Sequence, residues 1–509
     1  RRGEWTNQLG DFQRMGFWRF FSQQYGVSGP RFILLFVLGL FGIWEITRRR
    51  PKLGAPFLVL LLISSIGLVL YMNFADGTMQ HAVTGGDHIE VRDRDYFFTP
   101  AFMLFGLGMG LGLTFLVQFV RELVAKMRPV VQKVIIGVSM LFFLTPGIAL
   151  ANNYFMSDRS NNYMAFDYAW NILVSADKNA VLFTSGDNDT FPVWCLQEAY
   201  GIRQDVVCVN LSLANTTWYI KQLRSTFGLN LSWDDREIDQ LRIVRDASGA
   251  VYRLQDQVVT DIIAQNFKQR PMNFCITSPG SVRMYRGRSI DSLLSMRGMV
   301  WRMNRTGGGM RKDIDDCVAL LTMPGAFQYR GIADTTVYKD PTSLRLTSNY
   351  ARMFIQVADS LRNAGELERM EELMRDCVER IPYATDAINY LAAFYSQHNR
   401  RQDLINLIDE SARYGDEKWL KTLLGRVESG LGNDGRAETI LREIMAKNPD
   451  YKPPFDELLF MYYENRQYDL LRSLMEDWLT LHPDDQDVVR LMKGLDQELR
   501  RIEASGGTP

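Results

Sequence analysis

The chain has 509 residues, with 58 Lys plus Arg against 59 Asp plus Glu, for a formal net charge of -1. A balance this close to neutral excludes a general nucleic-acid binder, which carries a basic excess, so no nucleic-acid partner is expected. Five cysteines, Cys195, Cys208, Cys275, Cys317 and Cys377, form no C-x-x-C pair and lack the His spacing of a zinc site, so neither a metal centre nor a disulfide framework is expected. The chain opens Arg1-Arg2-Gly3-Glu4 rather than on Met or a signal peptide, and is expected to be a processed or truncated portion of a longer protein.

In residues 1–29, Phe12, Met15, Phe17, Trp18, Phe20, Phe21 and Tyr25 alternate with Arg14, Arg19 and glutamines. That mixture suits an amphipathic segment lying in a membrane interface. Four apolar runs follow, at 30–47, 56–73, 100–120 and 130–151, each about the length that crosses a hydrocarbon core about 30 Å thick. A membrane domain of four spans over 30–151 is the expectation. In the third run, Gly106/Gly110 and Gly108/Gly112 read as helix-packing positions, Thr99 as a helix cap before Pro100, and Pro146 as a kink in the fourth run.

Arg48, Arg49, Arg50 and Lys52 lie between the first two runs, and Arg121, Lys126, Arg128 and Lys133 around the link between the last two. The positive-inside rule puts both links in the cytoplasm. The middle connection, with Asp76, Asp87, Glu90, Asp93 and Asp95 against Arg92 and Arg94, then lies outside, as does everything after the fourth run.

From 152 to 337 the pattern becomes α/β. Strands are expected at 180–184, 205–210, 250–254, 272–277 and 299–304, and helices at 191–200, 256–267 and 312–321, with a partly parallel sheet. The turn Ser185-Gly186-Asp187-Asn188-Asp189-Thr190 follows the first strand, and ligands bind at strand carboxyl ends in open α/β sheets. Asp187, Asn188 and Asp189 can bind sugar hydroxyls or a divalent cation there; equally, Asn188 or Asp189 can simply cap the helix while Gly186 permits the turn. Beyond the second strand, Asn215, Trp218 and Tyr219 are candidates for sugar or acceptor binding, with core packing of the aromatic pair as the alternative.

Residues 338–509 read as helical. Gly365, Asn399, Gly432 and Asn465 recur at spacings of 34, 33 and 33, the period of tetratricopeptide-like hairpins, which present a concave face to a protein partner. A plain helical cap on the sheet domain is the alternative.

The segment 182–194 (LFTSGDNDTFPVW), followed by Gln197-Glu198, by 205–213 and by Asn215 and Trp218-Tyr219-Ile220, resembles a family of bacterial multi-pass membrane proteins long without a known function. Arg92-Asp93-Arg94-Asp95-Tyr96-Phe97-Phe98 resembles a second motif of that family, which is similar to the eukaryotic protein O-mannosyltransferases that modify plexin-type domains and so to the C-type glycosyltransferase fold. The resemblance implies an enzyme of the bacterial inner membrane with periplasmic soluble domains. It would take sugar from a lipid-phosphate donor, with no other cofactor required, and pass it to protein, with a repeat tail handling the acceptor. The family's catalytic acid lies in an outer loop near its N-terminus that has no counterpart here, so no catalytic residue is assigned.

In the outer loop that is present, His88, Arg92, Arg94 and Asp95 are the donor-binding candidates. A guanidinium fork suits phosphate oxygens, and histidine is the side chain whose ordinary charge change falls near neutrality. Mutual pairing of Arg92, Asp93, Arg94 and Asp95 at the membrane surface is the alternative. A different class of function also stays open: a non-catalytic anchored scaffold whose outer domains hold a partner protein.

Overall fold

A computed structural model describes residues 17–26, 30–72, 95–144, 146–245, 249, 251–305, 311–312 and 314–504. The chain forms two compact units, Arg1–Asp158 and Arg159–Pro509.

The first unit is helical: α1 (Phe17–Gln24), α2 (Pro30–Arg49), α3 (Pro51–Leu62), α4 (Leu68–Met72), α5 (Thr99–Leu123), α6 (Pro129–Met140) and α7 (Pro146–Ser157). A π-helical turn, Ile63–Gly67, joins α3 and α4 into one rod. Among the described residues two helices, Pro51–Tyr71 and Tyr96–Leu123, are long and apolar enough to cross a membrane. Only 22% of each apolar window is buried, whereas a core helix of a water-soluble protein would be mostly covered. Side chains such as Leu60, Ile63, Met103 and Leu107 point outward, which is the arrangement of a membrane-associated unit. The fourth apolar run is not one helix: α6 stops at Met140, a 3-10 turn covers Leu141–Leu144, and α7 restarts at Pro146, whose missing N–H cannot continue the ladder.

The glycines of α5 divide by face. A Cβ on Gly42 would sit 2.0 Å from the Gly108 carbonyl oxygen, and one on Gly112 would sit 2.1 Å from that of Leu38, so α2 and α5 cross backbone to backbone there. Gly110 meets nothing within 4 Å, so the Gly106/Gly110 pair is not part of that crossing. Thr99 lies inside the helix, its hydroxyl donating to the Tyr96 carbonyl, and Phe98 takes the cap position without a side-chain bond. The aromatic face of α1 is buried: Phe21 meets Phe105 at 4.8 Å and Phe17 meets Phe98 at 5.1 Å, both edge to face.

The second unit begins with α8 (Met164–Ser175), β1 (Val181–Thr184), α9 (Asp187–Tyr200), β2 (Val207–Asn210), α10 (Thr217–Ser225), α11 (Asp235–Gln240), β3 (Val244–Arg245) and β4 (Val251–Tyr252). It continues through α12 (Leu254–Asn266), β5 (Met272–Cys275), β6 (Met284–Tyr285), β7 (Arg288–Ser289), β8 (Leu294–Arg297), β9 (Val300–Met303), β10 (Arg311–Lys312) and α13 (Ile314–Thr322). The main sheet has the order β10-β8-β9-β5-β1-β2. β1 runs parallel to both neighbours, Val181 pairing with Val207 and with Met272, while β9 is antiparallel to β5. β1, β2 and β5 are buried along their whole length, as parallel strands covered on both faces must be. Phe183 stacks on Phe274 at 4.6 Å between ring centres, and burying each such ring contributes about 1.5–3 kcal/mol. β4 is not a sheet strand of the core; it forms a separate hairpin with β3.

After β1 the chain turns toward β2, and after β5 toward β8 and β9. The carboxyl ends of β1 and β5 therefore mark the topological switch point, the place where open α/β sheets bind ligands.

The remaining helices are α14 (Pro341–Asn363), α15 (Leu367–Arg380), α16 (Thr385–Gln397), α17 (Arg401–Ser411), α18 (Glu417–Gly430), α19 (Asp434–Lys447), α20 (Pro453–Glu464), α21 (Tyr468–Leu481) and α22 (Gln486–Ala504). Four of their connections share one device. A left-handed residue, Gly365, Asn399, Gly432 or Arg466, ends a helix, and the next amide reaches back five residues: Glu366 to Leu361, Arg400 to Tyr395, Asn433 to Glu428 and Gln467 to Tyr462, at 2.8–2.9 Å. This closure satisfies the last carbonyls of the helix. The fourth left-handed position is Arg466, not Asn465.

Candidate functional site

The turn after β1 is built around Gly186, whose φ of 77° and ψ of -168° belong to a region that only glycine enters without strain. The chain enters α9 one turn earlier than the sequence pattern suggests, so Asp187, Asn188, Asp189 and Thr190 form its first turn and neither Asn188 nor Asp189 is its cap. Positions two apart on a helix face opposite ways. Asp187 and Asn188 are accordingly exposed, whereas Asp189 is 2% exposed. The two carboxylates cannot converge on one cation, and among the described residues no group of three or more His, Cys, Asp or Glu could hold a metal.

Asp189 bridges the switch point. One carboxylate oxygen accepts from the Thr277 hydroxyl beyond β5 and from the Ser185 amide at 3.2 Å; the other accepts from the Tyr168 hydroxyl of α8 at 3.2 Å. Asn349 of α14 donates to that same Tyr168 oxygen at 3.0 Å, which ties the site to the first helix of the tail. Burial raises the Asp189 carboxyl above its ordinary range, and the three donors pull it only partly back because none is charged. Beside it, Asn210 donates to the Thr190 hydroxyl at 3.0 Å and Thr184 meets the same hydroxyl at 2.7 Å, so the carboxyl ends of β1 and β2 are pinned to α9.

The six candidates for sugar or acceptor binding divide into three groups. Asp187, Asn188 and Trp218 are on the surface, Trp218 being 57% exposed. Asp189 and Tyr219 are interior: the Tyr219 hydroxyl accepts from the Asn210 amide at 2.9 Å and donates to the Cys208 carbonyl, and burial pushes its phenol well up. Tyr219 is thus a core residue, while Trp218 is open to solvent. Asn215 is exposed, yet its amide is bonded to Gln255 at 2.8 Å and it holds the start of α12 in place.

Sequence reasoning passed over Phe191, 50% exposed and one turn along α9 from Asp187, and Trp194 after it, which lies 5.7 Å from Phe191 and 6.5 Å from Tyr219. A helical spacing of four from Asp187 is the signal that would have found Phe191. Tyr168, Thr277 and Asn349 come from distant elements. Of the donor-binding candidates, His88, Arg92 and Arg94 lie outside the described residues; Asp95 opens the short turn Asp95–Phe98, and its side chain also lies outside them.

A second cleft of the sheet unit, of about 710 Å³, includes Lys178, Arg203, Arg297 and Arg302. Two of these cations form a clamp. Arg203 is occupied by Asp205 and by the carbonyls of Leu173, Ala176 and Asp177, and Arg297 by Asp316 and the carbonyls of Val174 and Ser175. Both guanidiniums hold the negative end of α8, and the Arg203 bond holds the Asp205 carboxyl down at about 2.

Residues 165–230 match the family TMEM260-associated domain 2. The matched segment runs from α8 through β1, α9, β2 and α10, and so carries every switch-point residue named above except Thr277 and Asn349. Comparison with curated proteins and with solved structures gave no match.

Proposed function

We propose that the chain is a portion of a membrane glycosyltransferase resembling the protein O-mannosyltransferases, one that transfers a sugar from a lipid-phosphate donor to protein on the outer face of a bacterial inner membrane. The observation that carries this reading is where the family match falls: on the strand ends at the switch point of the sheet, in a chain that also has helices apolar enough to cross a membrane. Four spans within 30–151 would anchor it, a periplasmic α/β domain at 152–337 would present the acceptor, and a tetratricopeptide-like tail at 338–509 would recruit it. In this scheme Arg92 and Arg94 grip the lipid phosphate, with His88 and Asp95 beside them. Asp187, Asn188 and Trp218 face the acceptor, its sugar or its peptide, and the Asp189 network keeps that face rigid. The base that activates the acceptor hydroxyl has no assigned residue, and a divalent cation has no assigned ligand.

A second reading, a non-catalytic anchored scaffold that holds a partner protein, draws on one observation: the carboxylate at the switch point is engaged by the protein's own donors. Membranes containing the full chain separate the two. Transfer of labelled sugar from a lipid-phosphate donor to protein, reduced at least tenfold by Arg94→Ala with unchanged membrane insertion, supports the transferase. Absence of transfer, with a partner that co-purifies until residues from 338 onward are deleted, supports the scaffold.

A further inference from the structure

Away from the switch point, a cleft of about 450 Å³ runs along the outer face of α12. Its walls come from three separate segments: Trp233 before α11, Tyr252 on β4, and the tip of the β6–β7 hairpin, Arg286-Gly287. The volume is that of a small-molecule site, and two aromatic walls with a few polar groups between them are the usual lining of one.

The hairpin tip is a two-residue loop with both φ angles positive, 50° at Arg286 and 76° at Gly287. Such turns favour Asn or Asp followed by Gly. Holding an arginine in the left-handed region costs conformational energy, and strain of this kind concentrates where a side chain is needed. At Gly287 the positive φ favours glycine, and a Cβ there would stand 3.1 Å from the Tyr252 hydroxyl, so the tip lies close against that wall.

The polar groups select the ligand class. Asp261 has both oxygens taken by Ser232, at 2.6 and 2.9 Å, and Asp256 accepts from the Arg253 amide at 2.8 Å as part of the start of α12. Two acids against one guanidinium disfavour phosphate, nucleotide or any other anion. Each acid already has a partner, and the Gln257 amide donates its NH2 to the Arg242 carbonyl at 2.8 Å, so the neutral groups left to meet a ligand are the Gln265 amide, the Thr260 hydroxyl and the Gln257 side-chain oxygen, with Arg286 at the rim. Planar amides match pairs of vicinal hydroxyls, and aromatic faces match the C–H face of a pyranose ring.

We propose that this cleft binds a neutral saccharide, with Trp233 and Tyr252 as the stacking walls and Gln257, Thr260, Gln265 and Arg286 as the hydroxyl partners. The inference stands apart from the transferase reading, because binding is measured without any transfer. The experiment is calorimetric titration of the full chain in nanodiscs free of glycoside detergent, with mannotriose as the neutral probe, 3'-sialyllactose as the anionic one and pentalysine as a basic peptide. Saturable binding of mannotriose is expected, weakened at least tenfold by Gln265→Ala and by Arg286→Gly. The glycine variant suits the left-handed turn, so its loss of binding cannot be a loss of fold. Trp233→Ala should abolish binding, and Tyr463→Ala, an exposed aromatic of the tail, should leave it intact. Absence of mannotriose binding overturns the proposal, as do Gln265→Ala and Arg286→Gly variants that bind like the parent chain, or binding of pentalysine or sialyllactose alone.

Discussion

Two carboxylates, one at the sheet switch point and one in the helical tail, are equally buried and differently answered. Glu428 in α18 has a side chain 0% exposed, yet it receives two guanidiniums, Arg401 at 2.8 Å and Arg436 at 3.3 Å, and the Asn433 amide at 2.8 Å. Burial alone would raise its carboxyl; the Arg401 and Asn433 bonds and the two positive charges outweigh that and hold it below the ordinary range. Asp189 receives only hydroxyls and an amide, and burial wins. A carboxylate gripped by cations fixes a turn, here the α18–α19 connection, and is held toward its charged form. A carboxylate held by neutral donors is pushed toward its neutral form by burial, and that separates the switch point from the tail.

Glu428→Gln keeps the shape and removes the charge, so it should destabilise the α18–α19 hairpin by about 2 kcal/mol, the usual worth of hydrogen bonds to a charged group. Amide exchange across Glu417–Gly430 and Asp434–Lys447 in the full chain would show it as faster local opening. Unchanged protection would mean that the ion cluster contributes nothing.

Asp189→Asn should cost less than about 1 kcal/mol, because the remaining oxygen keeps the Thr277 and Ser185 bonds and the Tyr168 hydroxyl can accept from the new amide. Exchange at β1 and β5 would be nearly unaltered. A large loss of protection would show that the anion itself is structural, and would erase the contrast with Glu428.

The smallest effect is the pH response, and its sign differs between the sites. The lowered carboxyl of Glu428 contributes stability that is complete above its unfolded value of about 4 and is lost as pH falls through the folded one. The raised carboxyl of Asp189 favours the protonated folded state, so its contribution is complete below about 4 and is lost as pH rises through the folded value. Lowering the pH from neutral should loosen the α18–α19 turn and tighten the β1–α9 turn, measured by exchange corrected for intrinsic rate. Parallel changes at both would contradict the assignment.

The legible and illegible parts of this chain differ for physical reasons. Val181–Thr184, Val207–Asn210 and Met272–Cys275 could be read because fully buried parallel strands are short apolar runs. β8, with the sequence LSMR, has neither an apolar run nor clean alternation and was passed over. The first turn of α9 has the sequence of a loop because Asp187, Asn188 and Asp189 are turn formers, although acids in that position also favour a helix start. Arg466 replaces Asn465 as the left-handed residue, a substitution that no composition rule for turns anticipates. The identity of the residues around Asp189 was the least accessible. Tyr168, Thr277 and Asn349 stand 21, 88 and 160 positions away along the chain, joined to the carboxylate or to each other only by the fold.

Under the proposed sugar transfer, the exposed face beside the switch point, with Phe191 and Trp218 half or more uncovered, is where the acceptor would sit. The direct measurement is transfer of labelled sugar to protein by membranes carrying either the parent chain or the Phe191→Ala/Trp218→Ala double variant. A fall of at least tenfold, with insertion and amide protection of β1 and β2 unchanged, is the predicted result. Transfer at the parent rate by a folded double variant would contradict it.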